Sequence, residues 1–263
     1  REMNPGMPGY DMQPAVSPDG KFLAFQSMSR SACESDKKRL MFMDLINGEV
    51  RDMTSIFDQN VDQFVWSRDG KKIWFVSGVN ATEQLYELDV QSGQILQMTE
   101  GPQDFESLAE GKDAWILSKK SLSMSPELFS VSYKDKTEKN LSQINTEIYK
   151  YIRMGKVEAR WMKTSDHKQM LTYIVYPPNF DPAKKYPALL YCQGGPQNTV
   201  SQFFSYRWNL QQMAAQGYIV IAPNIAMPHA QGGNGVNENA VAFMKVNQTV
   251  HFSDSEEHDA RLF

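Results

Sequence analysis

The chain has 263 residues, with 41% hydrophobic and 22% charged residues, the balance of an ordinary globular protein with material for one large or two ordinary domains. Lys and Arg number 27 against 31 Asp and Glu, a net charge of −4, so nothing favours a polyanion such as nucleic acid as a partner. No apolar run approaches the ~20 residues of a helical membrane span.

There are two cysteines, Cys33 and Cys192, too far apart and too few for a disulfide framework or a metal-binding pattern. Cys192 follows a short apolar run and is expected to be a small core residue. The chain starts at Arg1, not Met, and the expectation is that the natural N-terminus lies further upstream.

Residues 1–10 are rich in Met, Pro and Gly and read as irregular. Ser17-Pro18-Asp19-Gly20 is turn chemistry: proline presets one backbone angle and glycine accepts a positive φ. A strand over Lys21–Gln26 follows. Fifty residues later the phrase returns as Ser67-Arg68-Asp69-Gly70, again followed by a strand. A second phrase, Leu40 to Val50 with its Asn47-Gly48 turn, recurs 45 residues later as Leu85 to Ile95 with Ser92-Gly93. Each copy is a strand, a tight turn and a second strand, and each ends in a Met-Thr pair, Met53-Thr54 and Met98-Thr99. A degraded third copy begins near Leu128.

Self-similarity at this period, with about four short strands per unit, is the signature of a β-propeller. A sandwich of unrelated hairpins is the bland alternative, and it does not explain why two different phrases repeat in the same order. Three units cannot close a propeller, so further blades are expected upstream.

Beyond Glu147 the character changes. Two strands around an Asp166-His167 turn are expected from Val157 to the stop at Pro177-Pro178. Ala188 to Tyr191 is expected to be a buried strand breaking into Gln193-Gly194-Gly195-Pro196. A helix is expected over Ser205–Gln216, with Tyr206, Leu210 and Met213 on one face and Gly217 ending it. Tyr218–Pro223 is a second buried strand. Strand, loop, helix, strand is a βαβ unit, the opening of an α/β domain with a parallel sheet. The domain division expected is 1–145, incomplete β-propeller blades, and 146–263, the start of an α/β-hydrolase domain, truncated or discontinuous after about 224.

With these residues in place the chain resembles the prolyl oligopeptidase family of serine peptidases, most closely its dipeptidyl peptidase IV branch. The resemblance covers about residues 11–224. It rests on the propeller turns, on the approach Val175 to Tyr191, and on Gln193-Gly194-Gly195-Pro196 at the place of the family's Tyr/His-Gly-Gly-Pro loop. That loop lines the oxyanion hole of an α/β-hydrolase. The family's Tyr is Gln193 here; its carboxamide carries two N–H donors, so Gln193 is the candidate oxyanion donor, with Gly194 in the same loop. Gln193 as a mere loop tie is the competing role.

The resemblance implies a serine exopeptidase that releases N-terminal dipeptides or short peptides, with proline preference, by acyl-enzyme chemistry. It implies a peptide substrate, no cofactor and no metal, allows a homodimer, and favours a periplasmic or secreted location. No Gly-x-Ser-x-Gly elbow occurs anywhere in the chain, so the Ser, Asp and His of a triad are not assignable, and the chain as written is expected to be inert. Two other classes compete: a non-enzymatic propeller binding module, favoured by the missing nucleophile, and an esterase on the same scaffold.

The tail holds His229, His251 and His258 beside Asp254, Glu256, Glu257 and Asp259. Their spacing is irregular and reads as a solvated charge run, not a metal site. Gln231 to Gly235 lacks the Lys-Ser/Thr ending of a phosphate loop. The last forty residues read as pieces of a longer catalytic domain written consecutively.

Overall fold

A computed structural model describes residues 6–33, 36–164, 167–193 and 199–224. The strands are β1 (Asp11–Val16), β2 (Phe22–Ser27), β3 (Arg39–Asp44), β4 (Val50–Asp52), β5 (Phe64–Trp66), β6 (Lys72–Val79), β7 (Thr82–Asp89) and β8 (Ile95–Gln97). They continue with β9 (Asp104–Glu110), β10 (Ala114–Ser121), β11 (Met124–Ser132), β12 (Glu138–Asn140), β13 (Val157–Lys163), β14 (Gln169–Val175), β15 (Ala188–Leu190) and β16 (Ile219–Pro223). Among the described residues two helices join them, α1 (Thr146–Tyr149) and α2 (Leu210–Ala215).

Two compact units result. Of the described residues, one holds those up to Lys119 together with Glu127–Ser142; the other holds Lys120–Pro126, the tip of the β10–β11 hairpin, and those from Gln143 to Asn224.

The first unit is three four-stranded antiparallel meanders in sequence, β1–β4, β5–β8 and β9–β12, which are blades of a β-propeller. A single parallel pair, Glu83↔Asp104, connects the second and third blades into one sheet. The repeated phrases are repeated hydrogen bonds. The Ser17 hydroxyl donates to Asp19 Oδ1 at 2.7 Å and accepts from Phe22 N at 3.0 Å; the Ser67 hydroxyl donates to Asp69 Oδ1 at 2.7 Å and accepts from Lys72 N at 2.9 Å. Gly20 and Gly70 close the two turns at φ of +72° and +69°.

The Met-Thr pairs also have a physical reason. Thr54 Oγ1 accepts from Leu40 N, and Thr99 Oγ1 accepts from Leu85 N, both at 2.9 Å and both buried. Each bond gives a core strand a partner where the outer strand has already ended. In the third blade Ser142 Oγ accepts from Leu128 N at 3.0 Å, so Leu141-Ser142 is the degraded third copy of the pair. The second phrase's glycine, at φ of +79° in Gly48 and +73° in Gly93, is replaced there by Lys136 at +61°.

Burial explains why the middle blade reads as a continuous apolar run. Ile73 and Phe75 of β6 face a cluster with Ala24, Leu40 and Phe42 of the first blade. Trp74 and Val76, on the opposite face, join Phe105, Trp115 and Leu117 of the third. A strand packed on both faces has no polar side to show, so alternation disappears.

The second unit carries a four-stranded sheet in the order β13-β14-β16-β15. β13 and β14 form the anticipated hairpin, with His167 at φ of +64° in its turn; Asp166 lies outside the described residues. β14 pairs antiparallel with β16, and β15 pairs parallel with it through Ala188↔Ile219, Leu189↔Val220 and Leu190↔Ile221. The β15–α2–β16 crossover is therefore the βαβ unit read from the sequence.

Four expectations are corrected here. α2 starts at Leu210, not Ser205, because Asn209 caps it: Asn209 Oδ1 accepts from Gln212 N at 3.0 Å. The preceding residues are held in a turn by the Ser205 hydroxyl, which accepts from Trp208 N at 2.8 Å, and Tyr206 is 80% exposed rather than on a buried face. The face that is buried is Leu210, Gln211 and Ala214. β15 is not a buried strand, since Ala188 and Leu190 are exposed, and Cys192 beyond it is exposed rather than in the core.

Two predictions follow from these ties. Thr99→Val leaves the buried Leu85 N–H without an acceptor and should lower the unfolding free energy by about 1–3 kcal/mol, with Thr99→Ser near wild type, measured by urea denaturation. Asp19 and Asp69 titrate below the ordinary carboxylate range, chiefly because Ser17 and Ser67 donate to them. A lowered folded pKa gives stability that is complete above the unfolded value and lost as pH falls through the folded one. The urea midpoint should therefore fall below about pH 4, and less steeply in the Asp19→Asn/Asp69→Asn protein.

Candidate active site

The candidate donor Gln193 sits just past the C-terminal end of β15. In an open sheet with parallel strands this is the edge at which ligands bind. The backbone pairing runs one residue beyond β15, because Tyr191 N donates to Ile221 O at 2.8 Å. Extended backbone sends alternate side chains to the same side. Tyr191 and Gln193 therefore meet, and Cys192 points the other way into solvent. The Tyr191 hydroxyl donates to Gln193 Oε1 at 2.7 Å. The Tyr191 ring lies 6.3 Å from that of Phe203, centroid to centroid. Burial raises the Tyr191 pKa above that of an ordinary tyrosine, so the phenol stays protonated at neutral pH and remains a donor.

The other end of the glycine loop is also tied. Val200 N donates to Asn224 Oδ1 at 2.6 Å, and Asn224 Nδ2 donates to Val200 O at 3.0 Å. Asn224 N in turn donates to Leu171 O at 2.9 Å, one step beyond the β14–β16 ladder. The loop thus departs from Tyr191, anchored on β16, and re-enters at Val200, anchored on the residue after β16. Gly194, the other loop residue named from the sequence, lies outside the described residues, as does the whole of 225–263, with three of the four histidines.

In the same unit Gln211 of α2 ties several segments together. Its Nε2 donates to Gly155 O at 3.0 Å and to the Ser123 hydroxyl at 2.8 Å, while its Oε1 accepts from Gly155 N at 2.8 Å. Gln202 Oε1 accepts from Leu122 N at 3.2 Å. The hairpin tip Lys120–Pro126 is therefore held against the loop and helix between β15 and β16. The sequence reading missed Tyr191, Gln202, Gln211 and Asn224. The i, i+2 spacing of Tyr191 and Gln193 along a strand was the only signal available.

No group of three or more His, Cys, Asp or Glu residues is placed to hold a metal among the described residues. No helix among them is long and apolar enough to cross a membrane.

Known proteins resemble the chain over most of its length. The chain is 46% identical over 219 residues to dipeptidyl-peptidase 5 of Porphyromonas gingivalis, which covers 83% of this chain and 32% of that protein. Over its matched residues the chain is similar to dipeptidyl peptidases, and the likeness supports the prolyl oligopeptidase family, dipeptidyl peptidase IV branch. Among solved structures, the acylaminoacyl peptidase of Pyrococcus horikoshii is similar with a TM-score of 0.64 at 20% identity, covering 78% of this chain and 31% of that one. The dipeptidyl peptidase 4 of P. gingivalis is similar with a TM-score of 0.58 at 19% identity, covering 80% and 30%. Those two likenesses concern the fold. The chain spans about a third of the length of the curated relatives it matches. Residues 197–263 match a family model, the EIIA 2 component of the phosphoenolpyruvate-dependent sugar phosphotransferase system. The matched range overlaps α2 and β16, which the structure places in one unit with β14.

The tightest backbone approach in this unit gives a prediction. A Cβ on Gly155 would lie 1.6 Å from the carbonyl oxygen of Tyr176, and the Gly155 backbone is bonded to Gln211 on both its N–H and its C=O. Gly155→Ala should destabilise the second unit by at least about 3 kcal/mol, the upper range for overpacking, read as a lowered thermal midpoint.

Proposed function

We propose that the protein is a serine-type peptidase that releases dipeptides from peptide N-termini, with a preference for proline, through an acyl-enzyme. The carrying observation is the 46% identity to a relative named dipeptidyl-peptidase 5. The local architecture supports it. The order β13-β14-β16-β15, with β14 antiparallel to its neighbours and β15 joined to β16 through α2, is the way an α/β-hydrolase sheet begins. The loop after β15 is then the oxyanion loop, with Gln193 as a donor. In such an enzyme a Ser attacks the scissile carbonyl, a His carries the proton and an Asp orients the His. Gln193 Nε2 donates to the oxygen that becomes negative in the tetrahedral intermediate.

Dipeptide-chromophore substrates offered to the full-length protein test this. Turnover that is blocked by a serine-directed inhibitor is the expected result, with Gly-Pro substrates preferred. Gln193→Ala should lower kcat about 10²–10³-fold with little change in KM, as for loss of one oxyanion donor. A full-length protein that binds peptides without cleaving them would instead support a propeller binding module, and cleavage of simple esters alone would support an esterase.

A second reading concerns residues 197–263 and is favoured by the family-model match there: this portion carries phosphotransferase EIIA 2 sequence joined to a peptidase segment. A single genomic read spanning the codons for residues 190–263 separates the two. A continuous frame through the stretch supports the join, and a frame that proceeds from Asn224 to a Gly-x-Ser-x-Gly elbow excludes it.

A further inference from the structure

Resting on the peptidase reading above, we propose that Tyr191 is a positioning residue for the oxyanion site: its hydroxyl holds the Gln193 carboxamide in the one orientation that presents Nε2 as a donor. The physical problem is specific to glutamine. A phenol at this place has one O–H to direct. A carboxamide has a donor end and an acceptor end, and a half-turn about its last torsion exchanges them. The acceptor end facing a developing oxyanion would repel it. A mobile Gln would therefore divide its time between a helpful and a harmful orientation, besides losing rotamer entropy on each turnover.

The structure removes that ambiguity. The Tyr191 hydroxyl donates to Oε1 at 2.7 Å, a short and well-made O–H···O bond. A phenol O–H engaged with the carbonyl end commits that end and leaves the N–H₂ end to face elsewhere. Donation to Oε1 also draws electron density from the amide and makes its N–H groups more acidic. The hydroxyl is itself held in place. Tyr191 N is bonded to Ile221 O of a fully buried strand, and its ring lies beside Phe203, so its position is set by the sheet. Burial keeps the phenol protonated, as the role requires.

A double-mutant cycle in the full-length protein tests the proposal. Tyr191→Phe should lower kcat about ten- to hundredfold and leave KM within about twofold, since the lost orientation matters only as negative charge develops. In the Gln193→Ala background the same substitution should have no further effect. Replacing Tyr191 by 3,5-difluorotyrosine gives a second readout in a protein of nearly unchanged shape. Its acidic phenol ionises at a lower pH, becomes an acceptor and reverses the amide, so kcat should fall across that ionisation, and only while Gln193 is present. A full-length wild-type protein that releases no dipeptide sinks the peptidase reading, and this inference with it. An active protein in which Tyr191→Phe is neutral, raises KM alone, or multiplies with Gln193→Ala sinks this inference and leaves the peptidase reading standing.

Discussion

Strand β16 runs antiparallel to β14 on one side and parallel to β15 on the other, and all five of its residues are buried. The geometry of the second unit depends on it. Through Ile221 O it sets the point at which Tyr191 leaves the sheet, and through Asn224 it sets the point at which the chain returns at Val200. A glycine-rich loop has little conformational preference of its own. The residues that flank it, Tyr191 and Val200, are tied to β16 and to Asn224 just after it. Preorganised donors are effective because they need not be rearranged when charge appears.

In the first unit the same economy is seen three times over. A serine or threonine hydroxyl finishes each core strand, at Thr54, Thr99 and Ser142, and a Ser-x-Asp-Gly turn joins the first two strands of the first two blades. The third blade departs from the pattern with Glu110-Gly111 and with Lys136 in a left-handed conformation. Lys136 Nζ lies 4.2 Å from the centre of the Trp115 ring, a cation–π contact that offsets part of the backbone strain. The turn changed while the strand pairing it serves did not.

Legibility in the sequence followed the range of the interactions. The Ser17/Ser67 and Asn47-Gly48/Ser92-Gly93 phrases were readable because turn chemistry is local and repeats with the blade. The βαβ order from Ala188 to Pro223 was readable because period and punctuation identify strand and helix. The start of α2 was misplaced because Asn209 and Ser205 are both good caps, and only packing of Leu210, Gln211 and Ala214 selects between them. Cys192 was misjudged because an apolar residue after a strand has no local mark of which side it faces. Gln193 was found by family resemblance; its partner Tyr191, two residues away, was not, since spacing alone does not reveal that a hydroxyl and a carboxamide meet.

By itself the sequence determined the class of the protein: a repeated four-stranded unit, a switch to βαβ, and a Gln-Gly-Gly-Pro loop at the switch. These are written in nearest-neighbour chemistry, where a turn residue or an alternation carries its meaning within a few positions. Only the tertiary structure decided the orientation of Gln193, the anchoring of Val200 by Asn224 and the knot of Gln211 with Ser123 and Gly155. Each of those joins residues 24 to 88 positions apart, or depends on which face of an extended strand is turned inward. That choice is made by burial of β16 between its neighbours, and no short stretch of chain encodes it.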